Sequence, residues 1–161
     1  MAGNIEILGI DNLRAQFSKL KSDMINRTSR RMVASAGGVL RKEAKAIAQS
    51  LGLKRSGAMI RNIAIKRERD AGNGVQQYNL GVRHGRHLGR KAKKYLSLSS
   101  RTGRVVTRRE NDPYYWRFLE FDTKHRRGTS FIQQALINKK NEAIAAMNDR
   151  LVQDIEKASK G

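Results

Sequence analysis

The sequence has no cysteine, a single proline and no apolar run approaching the ~20 residues that span a bilayer. The first absence excludes a disulfide framework and a thiolate-held metal. The last argues against a membrane partner. The opening MAGNIEILGIDNL lacks a basic stretch followed by an apolar one, so it does not read as a signal peptide. The expectation is a soluble chain made in a cytoplasm. Another absence is local. Between Arg83 and Arg109 there is not one carboxylate, against ten Lys or Arg side chains.

At 161 residues and 39% hydrophobic, the chain suits one domain that buries about two thirds of its unfolded surface. Its formal net charge of +20 implies an anionic partner, because such self-repulsion is costly to a lone compact domain. The charge is unevenly spread. Residues 1–82 carry fifteen Lys/Arg and six Asp/Glu, and residues 110–161 carry nine and eight. The middle is therefore the electrostatic handle. Its basic residues are Arg83, Arg86, Arg90, Lys91, Lys93, Lys94, Arg101, Arg104, Arg108 and Arg109. They suit contact with phosphates or with an acidic protein, and the sequence alone favours neither.

Periodicity predicts the elements. Ile10, Leu13, Phe17, Leu20 and Met24, then Met32, Val33, Ala36, Val39, Leu40, Ala44, Ile47 and Leu51, step by threes and fours. That spacing predicts helix across most of 10–51, with Asp11 as N-cap and Gly52 as the terminating glycine. Asn26–Ser29 and the pair Gly37-Gly38 are the places where it would bend or admit a close neighbour. A β-hairpin is expected over 60–82, turning at Asp70–Gly74. Residues 83–112 read as an extended basic loop, with Arg104–Thr107 as one short strand. Asp112-Pro113 reads as N-cap and first turn of a short aromatic helix over 113–122. Thr129 or Ser130 is expected to cap a final helix over 130–158, striped by Phe131, Ile132, Ala135, Leu136, Ala143, Ile144, Met147, Leu151 and Ile155. The fold class is α+β: a small antiparallel sheet packed by a long N-terminal and a long C-terminal helix, in a single domain.

Chemistry is thinly represented. His84 and His87 stand among Arg83, Arg86 and Arg90, an unfavourable setting for a cation, so no metal site is assigned. The close acidic pairs near the aromatics are Glu110/Asp112 and Glu120/Asp122. The second is poorly placed for shared acid–base work, because i and i+2 diverge on a helix, and Glu120 is expected to pair with Arg117 or the basic loop. No phosphate-cradling loop is present. A nuclease built on His84 or His87 with Glu110 is the weakest reading. The expectation is a protein with no catalytic residues and no cofactor. Tyr114, Tyr115, Trp116, Phe118 and Phe121 put five of nine aromatic residues into eight positions. They read as core plus a subunit interface, with a single-strand stacking platform as the alternative.

The order of short motifs adds a resemblance. KRSGAMIRNIAIKR, YNLGV, YYWRFLEFDT and GTSFIQQAL, followed by a long helix, resemble the tail-completion or head–tail joining proteins of long-tailed bacteriophages. Ser56-Gly57, Ile63, Leu80-Gly81-Val82, Tyr114-Tyr115, Glu120-Phe121 and Phe131–Ala135 carry the match. Asp122 stands where that family has glycine, and Ser130 where it has proline. The resemblance implies a non-enzymatic virion protein at the neck or top of the tail, assembled in the host cytoplasm. It further implies a ring, expected to be hexameric, between the tail terminator and the head-completion or stopper proteins. Packaged double-stranded DNA would pass through it. The competing reading is a free basic nucleic-acid-binding protein that uses residues 83–109.

Overall fold

The computed structural model of the chain describes residues 24–53, 56–69, 75–88 and 92–159. The expected Asp11 cap, the first half of the N-terminal stripe and the Asp70–Gly74 turn lie outside them. A π-turn, Met24–Thr28, leads directly into helix α1, Ser29–Ser50. α1 runs unbroken through Gly37-Gly38. Gly37 is where the chain needs a hydrogen for a side chain, since a Cβ there would sit 3.0 Å from Ile65 Cγ2. The close neighbour that the glycine pair suggested is thus a strand side chain. α1 ends in a Schellman turn: Gly52, at φ +66°, donates its N–H to Gln49 O and Leu53 donates to Ala48 O.

A short helix, α2 (Ala58–Asn62), occupies the start of the region expected to be hairpin. Strands β1 (Ile63–Arg67) and β2 (Tyr78–Val82) then pair antiparallel, Ile63 opposite Val82 and Ile65 opposite Leu80. Alternation sends these four side chains to the face that α1 covers. Ala64 and Gly81 lie on the other face, and the Trp116 ring passes over Gly81. A 3₁₀ turn, Gly85–Leu88, precedes β3 (Lys94–Leu98) and β4 (Val105–Arg109), which form a second antiparallel ladder. The stretch expected to be a loop with one short strand is therefore largely a hairpin. The aromatic helix, α3, is one turn shorter at its start than expected (Trp116–Glu120), and the chain ends in α4, Phe131–Ser159.

α1 and α4 pack antiparallel. Ala44 and Ala48 near the end of α1 join Phe131 and Ala135 at the start of α4, while Arg31 near the other end meets Asp154 at 3.1 Å. The alanines Ala44, Ala48 and Ala135 leave room there for the Phe131 ring. The same core takes in Met59, Ile60, Ile63 and Val82, so helices and first sheet bury one another's apolar faces. Asp154 also forms an ion pair with Arg150 at 3.2 Å, which gives a buried carboxylate two cationic partners.

The entry into α4 differs most from expectation. Neither Thr129 nor Ser130 caps the helix: their hydroxyls donate to Leu119 O and Glu120 O. The cap comes from Glu120, ten residues upstream and buried, whose carboxylate accepts Ile132 N–H at 3.0 Å and Gln133 N–H at 3.2 Å. Two otherwise orphaned donors and the positive helix end stabilise the charge. Glu120 has thus been claimed by α4 and not by Arg117 or the basic stretch. Asp112 is likewise no cap for α3; its two oxygens accept Gly85 N–H at 3.0 and 3.1 Å and tie the root of the hairpin to the 3₁₀ turn.

Candidate functional site

The hairpin is built by β-formers inside a cationic sequence. Tyr95, Leu96, Val105, Val106 and Thr107 favour strand, and Gly103, at φ +62°, turns the tip by donating its N–H to Ser99 O. Opposed residues share a face. One face carries Lys94/Arg109, Leu96/Thr107 and Leu98/Val105; the other carries Tyr95/Arg108 and Ser97/Val106. Among the described residues nothing packs over the first face, where Leu96 is 73% exposed, Leu98 70% and Val105 64%. A two-stranded ladder alone is marginal in water. Here the hairpin is held at its root by Asp112 and by Glu110 N–H donating to Lys93 O.

Of the ten basic residues, the structure places Lys93, Lys94, Arg101, Arg104, Arg108 and Arg109 on or beside this hairpin. Arg83 and Arg86 stand apart, beside the 3₁₀ turn; Arg90 and Lys91 lie outside the described residues. Two clefts are present, one at the hairpin root and one on the β1–β2 sheet. The larger, about 660 Å³, lies between Tyr95, Thr107–Arg109 and the Tyr114-Tyr115 pair, whose rings meet edge-on at 5.9 Å. The smaller, about 340 Å³, is lined by Lys66, Arg83, His84, His87 and Arg117 around the Trp116 ring. The Arg117 guanidinium sits 5.7 Å from that ring's centre, a cation–π distance. Among the described residues, no three His, Asp or Glu gather in a way that would hold a metal ion.

The aromatic segment divides. Tyr115 and Trp116 are half-buried against the core, whereas Tyr114, Phe118 and Phe121 are exposed. The split follows from α3 being a single short helix, with one side on the β1–β2 sheet and the other facing outward. The outward side of α4 is also apolar, with Ile137, Ile144, Val152 and Ile155 exposed. On the same helix Lys139 is held above its ordinary pKa by its hydrogen bond to Glu142, with Glu43 adding to the effect and desolvation opposing it. What the arrangement offers is adhesive surface: a basic and aliphatic hairpin, three exposed aromatics and a long helix face.

A family model described as "Bacteriophage HK97-gp10, putative tail-component" matches residues 11–121. The chain belongs to the HK97-gp10-like family. It is a phage tail component, and so a protein of the virion. No curated protein gives a significant match. No solved structure does either. The matched region covers α1, the first sheet, the hairpin and α3, and stops before the helix that completes the core.

Against the phage family's motifs, both departures noted in the sequence have a structural sense. Asp122 accepts Gly128 N–H through Oδ1 at 2.7 Å, closing by side chain the turn that follows Glu120-Phe121. Ser130 has φ +46°, a conformation closed to proline. Gly128 is required by the same turn, because a Cβ there would fall 2.5 Å from Glu120 O. Sequence reasoning missed Glu120 as the α4 cap and Asp112 as the clamp of the hairpin root. For Glu120 the only signal was a carboxylate ahead of a helix start, at a distance where no capping rule applies.

Proposed function

We propose that the chain is a ring-forming structural subunit of the phage neck or upper tail, acting in tail completion and head–tail joining. The observation that carries this reading is the family match over residues 11–121 on a domain whose hairpin stands off its body with its apolar residues uncovered. A protein that worked alone would gain nothing from exposing Leu96, Leu98 and Val105; a ring subunit buries such surface against its neighbours. Tyr114, Phe118 and Phe121 serve as interface contacts in the same way. The ring sits between the tail terminator and the head-completion or stopper protein, with packaged DNA passing through its lumen. Arg101 and Arg104 at the hairpin tip, with Arg83 and Arg86 beside the 3₁₀ turn, meet anionic surroundings there. The role is structural and involves no catalytic turnover.

Deleting the gene from its phage tests the reading. The expected result is full heads and separate tails in electron micrographs, with joining restored by the chain supplied in trans. Normal virions from the deletion would sink it. For the free nucleic-acid-binding alternative, a steep salt dependence of duplex binding by a monomer would be the supporting result.

A further inference from the structure

The hairpin's two chemistries, read together, narrow its partner. Phosphates reward its arginines but offer nothing to two leucines and a valine on one strand face. A partner must supply apolar surface with carboxylates near it. A second hairpin supplies the first and not the second, since residues 93–109 contain no carboxylate and six cations would face six. The exposed aromatics on and beside α3 are bordered by Arg117, Lys124, Arg126 and Arg127 against one exposed carboxylate, Asp122, which already accepts Gly128 N–H. Among the described surfaces, the outward face of α4 has both requirements. Near its C-terminal end Val152 is 53% exposed and Ile155 45%, and the exposed Asp149 and Glu156 stand one turn before and one turn after Val152.

We propose that the β3–β4 hairpin of one copy lies on the outward face of α4 of a second copy. The two surfaces belong to different sides of the domain: α1 packs α4 along one side and the β1–β2 sheet along another, and Trp116 and the hairpin root lie beyond that sheet. A contact between two unlike patches is head-to-tail and closes into a ring when its rotation allows. Leu96, Leu98 and Val105 bury against Val152 and Ile155, and Lys94 and Arg109 reach Asp149 and Glu156. This inference rests on the ring reading and names the surfaces that make the ring.

Because the chain has no cysteine, introduced thiols report on single contacts. The full chain is assembled, alone or with its virion neighbours, and oxidised with Leu96→Cys, Leu98→Cys or Val105→Cys, each combined with Ile144→Cys, Val152→Cys or Ile155→Cys. At least one double variant should give a ladder of covalent multiples up to the ring, while the single variants stay uncrosslinked. Dimers from Leu98→Cys alone would show hairpin on hairpin, and dimers from Ile144→Cys alone helix on helix; either overturns the proposal. So does a wild-type ring in which no double variant crosslinks, a result that leaves the ring reading standing. If the wild-type chain never assembles, the ring reading itself falls. As a second readout, Leu96→Ser/Leu98→Ser should raise the concentration for half-assembly by about tenfold or more. Unchanged assembly with lost duplex-DNA binding would place DNA on the hairpin and reject the proposal.

Discussion

Leu80 and Leu96 stand on two-stranded antiparallel ladders of equal length, yet one packs against the core and the other is the most exposed large hydrophobic side chain described. The ladders differ in what lies behind them. β1–β2 has α1 over the face that carries Ile63, Ile65, Leu80 and Val82, and Trp116 over Gly81 on the other. β3–β4 has itself, an Asp112 clamp and an apolar face in water. In the first, the pattern of residues serves folding. In the second, Leu96, Leu98 and Val105 stay largely exposed among the described residues, which is why that face speaks to assembly. Local strand propensity builds both; only packing separates them.

The sharpest way to test that contrast is to remove apolar volume from each region. Phe131→Ala, at a fully buried site between α1 and α4, should cost about 3–5 kcal/mol, read as a drop in the denaturant midpoint of the purified chain. Next in size, Glu120→Ala leaves the Ile132 and Gln133 N–H groups without their buried acceptor and should cost about 1–3 kcal/mol by the same measurement. The two α1 glycines then measure how closely the body is packed. Gly38→Ala meets nothing within 4 Å and should stabilise by about 0.5–1 kcal/mol, whereas Gly37→Ala, pressed on Ile65, should gain less or lose. Smallest of all, Leu96→Ser/Leu98→Ser should move the unfolding free energy by less than about 0.5 kcal/mol. A large loss of monomer stability from that pair would erase the distinction, because it would make the hairpin part of the cooperative core.

Much of the body was legible in advance. The stripe Ala36, Ala44, Ile47 predicted α1, Gly52 predicted its end, and Ile63–Lys66 with Leu80–Val82 predicted the first ladder. These succeed because periodicity and left-handed glycine are local consequences of local residues. The hairpin was half legible. Val105 and Val106 signalled strand, but Ser97-Leu98-Ser99-Ser100 read as loop, since small polar residues occur in both and nothing in the string says that Leu98 faces Val105. The sites were harder. Asp112 and Glu120 were seen as carboxylates in the right neighbourhood and given the wrong partners, because their partners are backbone groups brought near by folding.

By itself the sequence determined the electrostatics and the membership: a middle segment of pure positive charge, a near-neutral C-terminal third and the ordered motifs of a phage tail family. Charge and local motif are properties of the string, and they survive any arrangement of it. Tertiary structure decided which apolar residues are core and which are left outside. That choice depends on whether another element happens to lie across a given face, and on buried carboxylates such as Glu120 and Asp154 holding helices at the spacing where it can.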